Sequence, residues 1–329
     1  MLPPSPELSV VVPVYGCRDC LGHLHERLTR VLDSLHADHE IVFVDDGTGD
    51  GTWDDLQALA RRDPAVRAVR LSRNFGQQAA ILAGLQHARG RYVAVMDCDL
   101  QDPPELLTAM YERAIEGFGV VYGVRTRTGT PRLRRAAALA YSKLMNLTTR
   151  ANIDPGHGCF SLLSRDVVNA YLRVPDRDRN HMLILYWLGF PHSSVPFDQP
   201  DRHSGSSAYT VRSLFRLAGD GVFFQTTVLL RWVIYLGFAV SAAGFGLAAY
   251  YLALRLSGSA VEPGFTALAV LILVMSGFVI GSVGVVGLYL GRIFEQVKGR
   301  PLYVVAETTD DAGVPEVVST VEAPALPQR

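Results

Sequence analysis

The run Val95-Met96-Asp97-Cys98-Asp99-Leu100-Gln101-Asp102-Pro103-Pro104-Glu105 concentrates more chemistry than any other stretch of this chain. An apolar run ends in two carboxylates spaced i, i+2, and Pro103-Pro104 then opens a helical pattern. Strand alternation puts Asp97 and Asp99 on one side. Two hard oxygen donors there suit Mg²⁺ or Mn²⁺, which takes its remaining ligands from water and a diphosphate. A turn with helix-capping acids carries the same letters, and the triplet alone does not separate the two. A second apolar run ends in Asp45-Asp46-Gly47-Thr48-Gly49-Asp50-Gly51. Its acids can accept hydrogen bonds from a base N–H and ribose hydroxyls, and its glycines let the chain turn closely around a nucleotide. An ordinary Asp/Gly-rich turn has the same composition. A third run ends in Val12-Pro13-Val14-Tyr15, where an aromatic ring can lie against a base.

These residues need a scaffold, and the pattern predicts one. Short β-branched runs at 8–14, 40–45, 66–71, 91–97 and 119–124 alternate with helical patterns at 21–35, 52–61, 77–88 and 104–116. Strands alternating with helices of this length predict a parallel α/β sheet covered on both faces, with ligands beyond the C-terminal strand ends. The chain of 329 residues, 49% hydrophobic with net charge −1, can bury a sizeable core, which excludes a mostly disordered chain. It has no global basic excess of the kind that marks a dedicated nucleic-acid binder. The opening Met1-Leu2-Pro3-Pro4-Ser5-Pro6 does not read as a secretory signal. Cys17 and Cys20 form a C-x-x-C without a second pair at zinc-ribbon spacing. They read as ordinary thiols beside the first helix, with a thioredoxin-like pair as the other reading.

The slightly positive mean hydropathy, +0.17, comes almost entirely from the residues after Val228. Residues 206–225 place Val211, Leu214, Phe215, Ala218 and Val222 on one helical face, with Arg212 and Arg216 available to lipid phosphates. Two apolar stretches follow at about 232–254 and 265–290, each long enough at ~1.5 Å per residue to cross a ~30 Å bilayer core. The short link between them predicts a hairpin. Arg231 before it, and Arg292, Lys298 and Arg300 after it, put the N-terminal domain and both termini on the cytoplasmic side of the inner or plasma membrane. Gly277-x-x-x-Gly281 and Gly287-x-x-x-Gly291 permit close helix approach, within the hairpin or in a homo-oligomer. The expected layout is a domain at 1–200, an amphipathic juxtamembrane segment at 201–228, two membrane helices within 229–292, and a largely disordered tail at 293–329.

The ordered set of motifs resembles glycosyltransferase family 2, in its membrane-anchored branch related to dolichol-phosphate mannose synthase and bacterial polyprenyl-phosphate glycosyltransferases. The resemblance is carried by Val11–Tyr15, Phe43–Gly47, Leu71-Ser72-Arg73-Asn74-Phe75-Gly76 and Met96–Pro104, then Val121–Arg125, Phe160–Arg165 and Trp187–Phe190. It continues through Arg202-His203-Ser204-Gly205-Ser206-Ser207-Ala208-Tyr209 and the 291–303 segment. It implies a GT-A, Rossmann-like nucleotide-diphosphosugar fold and an inverting transfer. The implied donor-binding set is Pro13, Tyr15, Asp45, Asp46, Arg73, Asn74, Asp97, Asp99 and Gln101. Asp97 and Asp99, with Gln101 nearby, would hold the metal. Arg125 would face a phosphate, and Arg202 and Ser206 would close over the donor or grip the acceptor phosphate. Asp97, Asp99, Arg125 and Arg202 form the implied catalytic set.

One departure bears on the acceptor. Relatives often carry an acidic D-x-G-D whose last Asp is a proposed base, and here those positions read Gly156-His157-Gly158-Cys159. A hydroxyl acceptor needs a general base, commonly a ~10²–10⁴-fold effect, whereas a polyprenyl phosphate is already ionised. The missing acid therefore fits a phosphate acceptor, with Asp154 and His157 as substitutes on the acceptor side. The acid-free run 120–153, which holds Arg125, Arg127, Arg132, Arg134, Arg135, Lys143 and Arg150, reads as a face that docks on anionic lipid and collects phosphate, or as a plain solvated face. Transfer to a hydroxyl of a lipid-linked saccharide is the alternative, and a non-catalytic nucleotide-sugar-binding membrane protein is the non-enzyme reading. No G-x-G-x-x-G or P-loop is present, and Gln225 and Arg231-Trp232 are too far apart for the Q-x-x-R-W of processive synthases.

Overall fold

A computed structural model describes residues 6–126, 157–177, 179–198, 228–257 and 264–309. They fall into an α/β unit and a helical unit.

The α/β unit contains eight strands: β1 (Leu8–Val14), β2 (His39–Asp45), β3 (Val66–Leu71), β4 (Tyr92–Val95), β5 (Val120–Arg125), β6 (His157–Ser164), β7 (His192–Phe197) and β8 (Val305–Thr308). Its helices are α1 (Leu21–Ser34), α2 (Thr52–Arg62), α3 (Gln77–His87), α4 (Leu106–Ile115), α5 (Arg165–Leu172) and α6 (His181–Leu188). The strand order is β7-β5-β6-β4-β1-β2-β3-β8. Strand β1 is buried along its whole length, because alternate residues feed two separate cores. Val10 and Val12 join Leu24, Leu28 and Leu56 on the face covered by α1, α2 and α4. Val11 joins Ile81, Leu85 and Val168 on the face covered by α3 and α5. Burial on both faces is why the strands read as continuous apolar runs.

The sheet is mixed, which corrects the parallel expectation. Strand β6 runs antiparallel between β4 and β5, and β8 runs antiparallel to the outer side of β3. The β8 edge also gives regular structure to the first part, 293–309, of the stretch expected to be a largely disordered tail. The second long helix continues to Val297, and after a short link Tyr303 and Val305 are buried against the α3 face of the sheet. Glu307 accepts from Trp53 Nε1 at 3.0 Å and pairs with Arg70 at 2.9 Å. Thr309 exchanges hydrogen bonds with the backbone of Ala68. A four-residue strand leaves too little period to read, and what holds it is the open edge of β3 together with an apolar seat for Tyr303.

Helix α3 lies close against β1 because residue 84 is glycine. A Cβ there would stand 2.2 Å from Val11 Cγ1, in a β-branched side chain with no room to turn. Gly84→Ala gains about 1 kcal/mol of helix propensity and loses more through overpacking, about 1–3 kcal/mol. A net fall in Tm on thermal unfolding is the expected outcome.

The helical unit contains α7 (Val228–Leu256) and α8 (Phe265–Val297), which touch where Gly237 faces the Phe278 ring. Both helices outrun the predicted spans. Among the described residues, the segment Val274–Val297 is long and apolar enough to cross a membrane, and Val233–Gly244 is a shorter apolar stretch. Ile280, Val283, Leu290 and Ile293 of α8 are exposed, unlike the core helix of a soluble domain. A Cβ at Gly277, Gly281, Gly287 or Gly291 would meet nothing within 4 Å, so these small residues do not serve α7–α8 packing among the described residues.

Candidate active site

Strand β1 is flanked by β2 on one side and β4 on the other, so the chain reverses its direction of travel across the sheet at the β1/β4 boundary. In open α/β sheets such a switch point leaves a crevice beyond the strand ends, where ligands bind. The pairing shows how it opens. Strands β1 and β4 stay in register only from Leu8 with Tyr92 to Val11 with Val95, while β1 and β2 continue to Val14 with Asp45. Pro13 sits on β1 just where β4 has left it, so its missing N–H deprives no partner strand. It is buried in the sheet opposite Val44. Pro13 thus shapes the crevice from within the strand.

Asp97 and Asp99 lie at the mouth of this crevice, on a turn and not on a continuing strand as alternation had predicted, because β4 ends at Val95. The turn is built by short-range polar contacts. Asp99 Oδ1 accepts from the Gln101 N–H at 3.1 Å, Leu100 takes φ 60°, and the fully buried Asp102 accepts from the Asp97 N–H at 3.3 Å. Arg125, at the end of β5, reaches Asp102 at 3.2 Å. Burial, then repulsion from Asp102 and Asp99, push the Asp97 carboxyl up to about 7, against the opposing pull of Arg125 and a 2.6 Å hydrogen bond from Gln77 Nε2. Crowded carboxylates of this kind favour a cation. Among the described residues no group of three or more His, Cys, Asp or Glu forms a complete protein cage. The pair fits a hard divalent ion that keeps water and phosphate oxygens as its other ligands.

The two acids after β2 have different jobs. Asp46 is buried and spends both oxygens on backbone, accepting from Phe75 N–H at 2.8 Å and Gly76 N–H at 2.9 Å. Burial raises its pKa while those two donors lower it. Asp46 thereby acts as a clamp that fixes the start of α3, and with it Gln77. Asp45 Oδ1 accepts from Thr48 twice, at 3.0 and 2.8 Å, while Oδ2 is buried with no hydrogen-bond partner among the described residues and has Arg70 at 3.8 Å. Gly47 lets this loop lie on the next one: its φ is +68°, and a Cβ would stand 2.4 Å from the Arg73 carbonyl carbon. Tyr15 is 60% exposed beyond β1. Arg73 and Asn74 are exposed, with the Arg73 guanidinium 4.4 Å from the Phe75 ring centre.

On β6, His157 stacks on Tyr122 with centroids 4.5 Å apart, and its Nδ1 lies 2.5 Å from Tyr186 Oη. Cys159, where a base had been sought, interacts electrostatically with Asp97 and Asp102. Burial, chiefly, holds its thiol up at about 12. Behind it the buried His181 lies 2.9 Å from Ser161 Oγ and is kept neutral, its pKa pushed down to about 3 by burial and Arg179. Sequence reasoning had passed over Gln77 and Asp102, although both stand inside quoted or adjoining motifs. Of the two cysteines read as ordinary thiols, Cys20 is a buried free thiol, whereas Cys17 is disulfide-bonded to Cys98. Arg135, Arg202, Ser206, Asp154 and the juxtamembrane segment 201–227 lie outside the described residues.

Residues 9–172 match the glycosyl transferase family 2 model. Over 302 residues the chain is 36% identical to an uncharacterized glycosyltransferase of Synechocystis sp., a match that covers 92% of this chain and 95% of the relative. The chain belongs to glycosyl transferase family 2. This glycosyltransferase is also 33% identical, over 303 residues covering 92% of it and 98% of the relative, to the SfII prophage-derived bactoprenol glucosyl transferase of Shigella flexneri. Among solved structures, mannosyl-3-phosphoglycerate synthase from Rubrobacter xylanophilus aligns with a TM-score of 0.47 and 17% identity, over 70% of this chain and 75% of that one.

Proposed function

We propose that this glycosyltransferase moves a single sugar, with inversion, from a nucleotide diphosphosugar to a polyprenyl phosphate of the undecaprenyl type. The observation that carries the acceptor class is Cys159: the β6 side chain beside Asp97 is a neutral thiol, and a phosphate acceptor needs no base there. The bactoprenol glucosyl transferases among its relatives support the same acceptor.

In this reading the nucleoside lies over Tyr15, with Asp45 Oδ2 accepting from it and Arg73, Asn74 and Gln101 lining the donor. Asp97 and Asp99 would hold Mg²⁺ or Mn²⁺, which when bound neutralises the leaving diphosphate as a Lewis acid. Asp102 keeps Asp97 in place and orients Arg125 toward a phosphate. Arg202 and Ser206, with Arg135 and His157 on the acceptor side, align the acceptor phosphate behind the anomeric carbon, which is a gain in positioning. Helices α7 and α8 form a membrane hairpin, and the flanking Arg231, Arg292, Lys298 and Arg300 put the α/β unit at the cytoplasmic face.

The test uses purified protein in detergent with Mn²⁺, undecaprenyl phosphate and a panel of labelled nucleotide sugars. Acid-labile label in the organic phase, made by the unmutated protein and not by an Asp97→Ala/Asp99→Ala variant, is the expected result. Donor binding without label transfer from any donor would defeat the phosphate-acceptor reading, and supplying lipid-linked saccharides would then reveal a hydroxyl acceptor.

A further inference from the structure

Cys98 is the middle residue of Asp97-Cys98-Asp99, and its sulfur is bonded to Cys17, which lies three residues beyond the end of β1. The bond therefore spans the switch-point crevice and joins the turn that carries both candidate metal ligands to the loop that carries Tyr15. It lies on the α1/α4 side of the sheet, where Cys98 belongs to the same buried cluster as Met96 and Leu100 and Cys17 packs against that cluster. Asp97 takes its hydrogen bond from Gln77, the first residue of α3, on the opposite side. The crosslink thus ties the floor of the crevice without filling the face that Asp97 presents.

We infer that Cys17 and Cys98 are a reversible thiol–disulfide pair that sets donor affinity, the bonded form holding the two donor loops at their working separation. The inference rests on the donor-site reading above. A disulfide at a cytoplasm-facing site is of the transient, redox-responsive kind. Half-buried Cys17 is the accessible member, and Cys98 is buried. The Cys17 thiolate attacks a low-molecular-weight disulfide such as glutathione disulfide, forming a mixed disulfide and releasing one thiol. The Cys98 thiolate then attacks the Cys17 sulfur and releases the second. Two protein thiols and one small disulfide become one protein disulfide and two small thiols, and excess small thiol reverses the exchange. With the bond open, the Asp97–Asp99 turn and the Tyr15 loop regain separate motion, which the donor must quench on binding.

The test equilibrates the full-length protein in detergent with reduced and oxidised glutathione buffers. Alkylation and mass measurement should count two free thiols, Cys20 and Cys159, in the oxidised form and four in the reduced form. Each form is then titrated with Mn²⁺–UDP and Mn²⁺–GDP by calorimetry, alongside Cys17→Ser, which leaves Asp97 and Asp99 untouched. The oxidised form should bind its nucleotide roughly three- to tenfold more tightly. Cys17→Ser should match the reduced form in every buffer, and amide exchange across 96–102 should slow on oxidation. Failure of the pair to close in any buffer, or equal affinity in two verified redox states, would overturn the inference and leave the donor site standing. Binding of neither nucleotide by either form would overturn the donor-site reading and the inference with it.

Discussion

Replacing Asp97 with asparagine should lower sugar transfer about 10²–10³-fold, the usual cost of removing one preorganised electrostatic contact to a developing charge, while making the metal-free protein more stable. The two effects share one cause. Burial and the neighbouring Asp102 and Asp99 hold the Asp97 carboxyl up at about 7, far above its ordinary value. A group whose folded pKa is raised in this way is protonated without penalty at low pH, and it costs stability as pH rises from the unfolded value of about 4 through 7. Asparagine keeps an acceptor for Gln77 and removes the charge, so the gain, about 1–3 kcal/mol, should be absent near pH 4, grow as pH rises to 7 and be complete above it. Thermal melts of both proteins across that range, without metal, check the sign. A uniform shift at all pH values would mean that packing is responsible and charge is not.

The adjacent acids after β2 should separate in the same kind of experiment. Asp46→Asn puts an NH₂ group where Asp46 now accepts from two half-buried backbone donors. The loss of a charge-assisted bond and the new donor–donor contact should cost about 2–4 kcal/mol. Asp45→Asn can keep Oδ1 on Thr48 and alters only the buried oxygen that has no hydrogen-bond partner. Its stability should change by less than about 1 kcal/mol, whereas the donor KM should rise about tenfold, the worth of one hydrogen bond to a charged group. Melts and donor KM on the two variants check the pair. A large stability loss in Asp45→Asn with an unchanged KM would make both residues structural.

The alternating elements were legible because each core strand is buried on both faces: the predicted 8–14 and 66–71 runs coincide with β1 and β3. Long-range pairing was not. Nothing local marks β6 as the strand that enters between β4 and β5, so the sheet read as parallel. The candidate metal ligands were legible by type, but what makes them a site came from elsewhere in the chain. Gln77 reaches Asp97 from 20 residues away and Arg125 reaches Asp102 from 23. The Cys17–Cys98 bond, across 81 residues, overturned the reading of Cys17 as an ordinary thiol. Asp46 is a further case, for its type and place suggest a ligand contact, while the backbone donors that hold it, Phe75 and Gly76, lie 29 and 30 residues away.

The β8 strand also sets a clock on the birth of the molecule. Its partner edge on β3 is made early, yet the 107 residues between Phe197 and Val305, which carry α7 and α8, must be synthesised before β8 exists. At ~5–20 residues per second that is roughly 5–20 s. Throughout that interval the nascent sheet presents a bare β3 edge, the kind of surface that templates aggregation. The sheet becomes whole only after both long helices have left the ribosome, so a helix pair that stalls on its way to its destination leaves behind an open sheet.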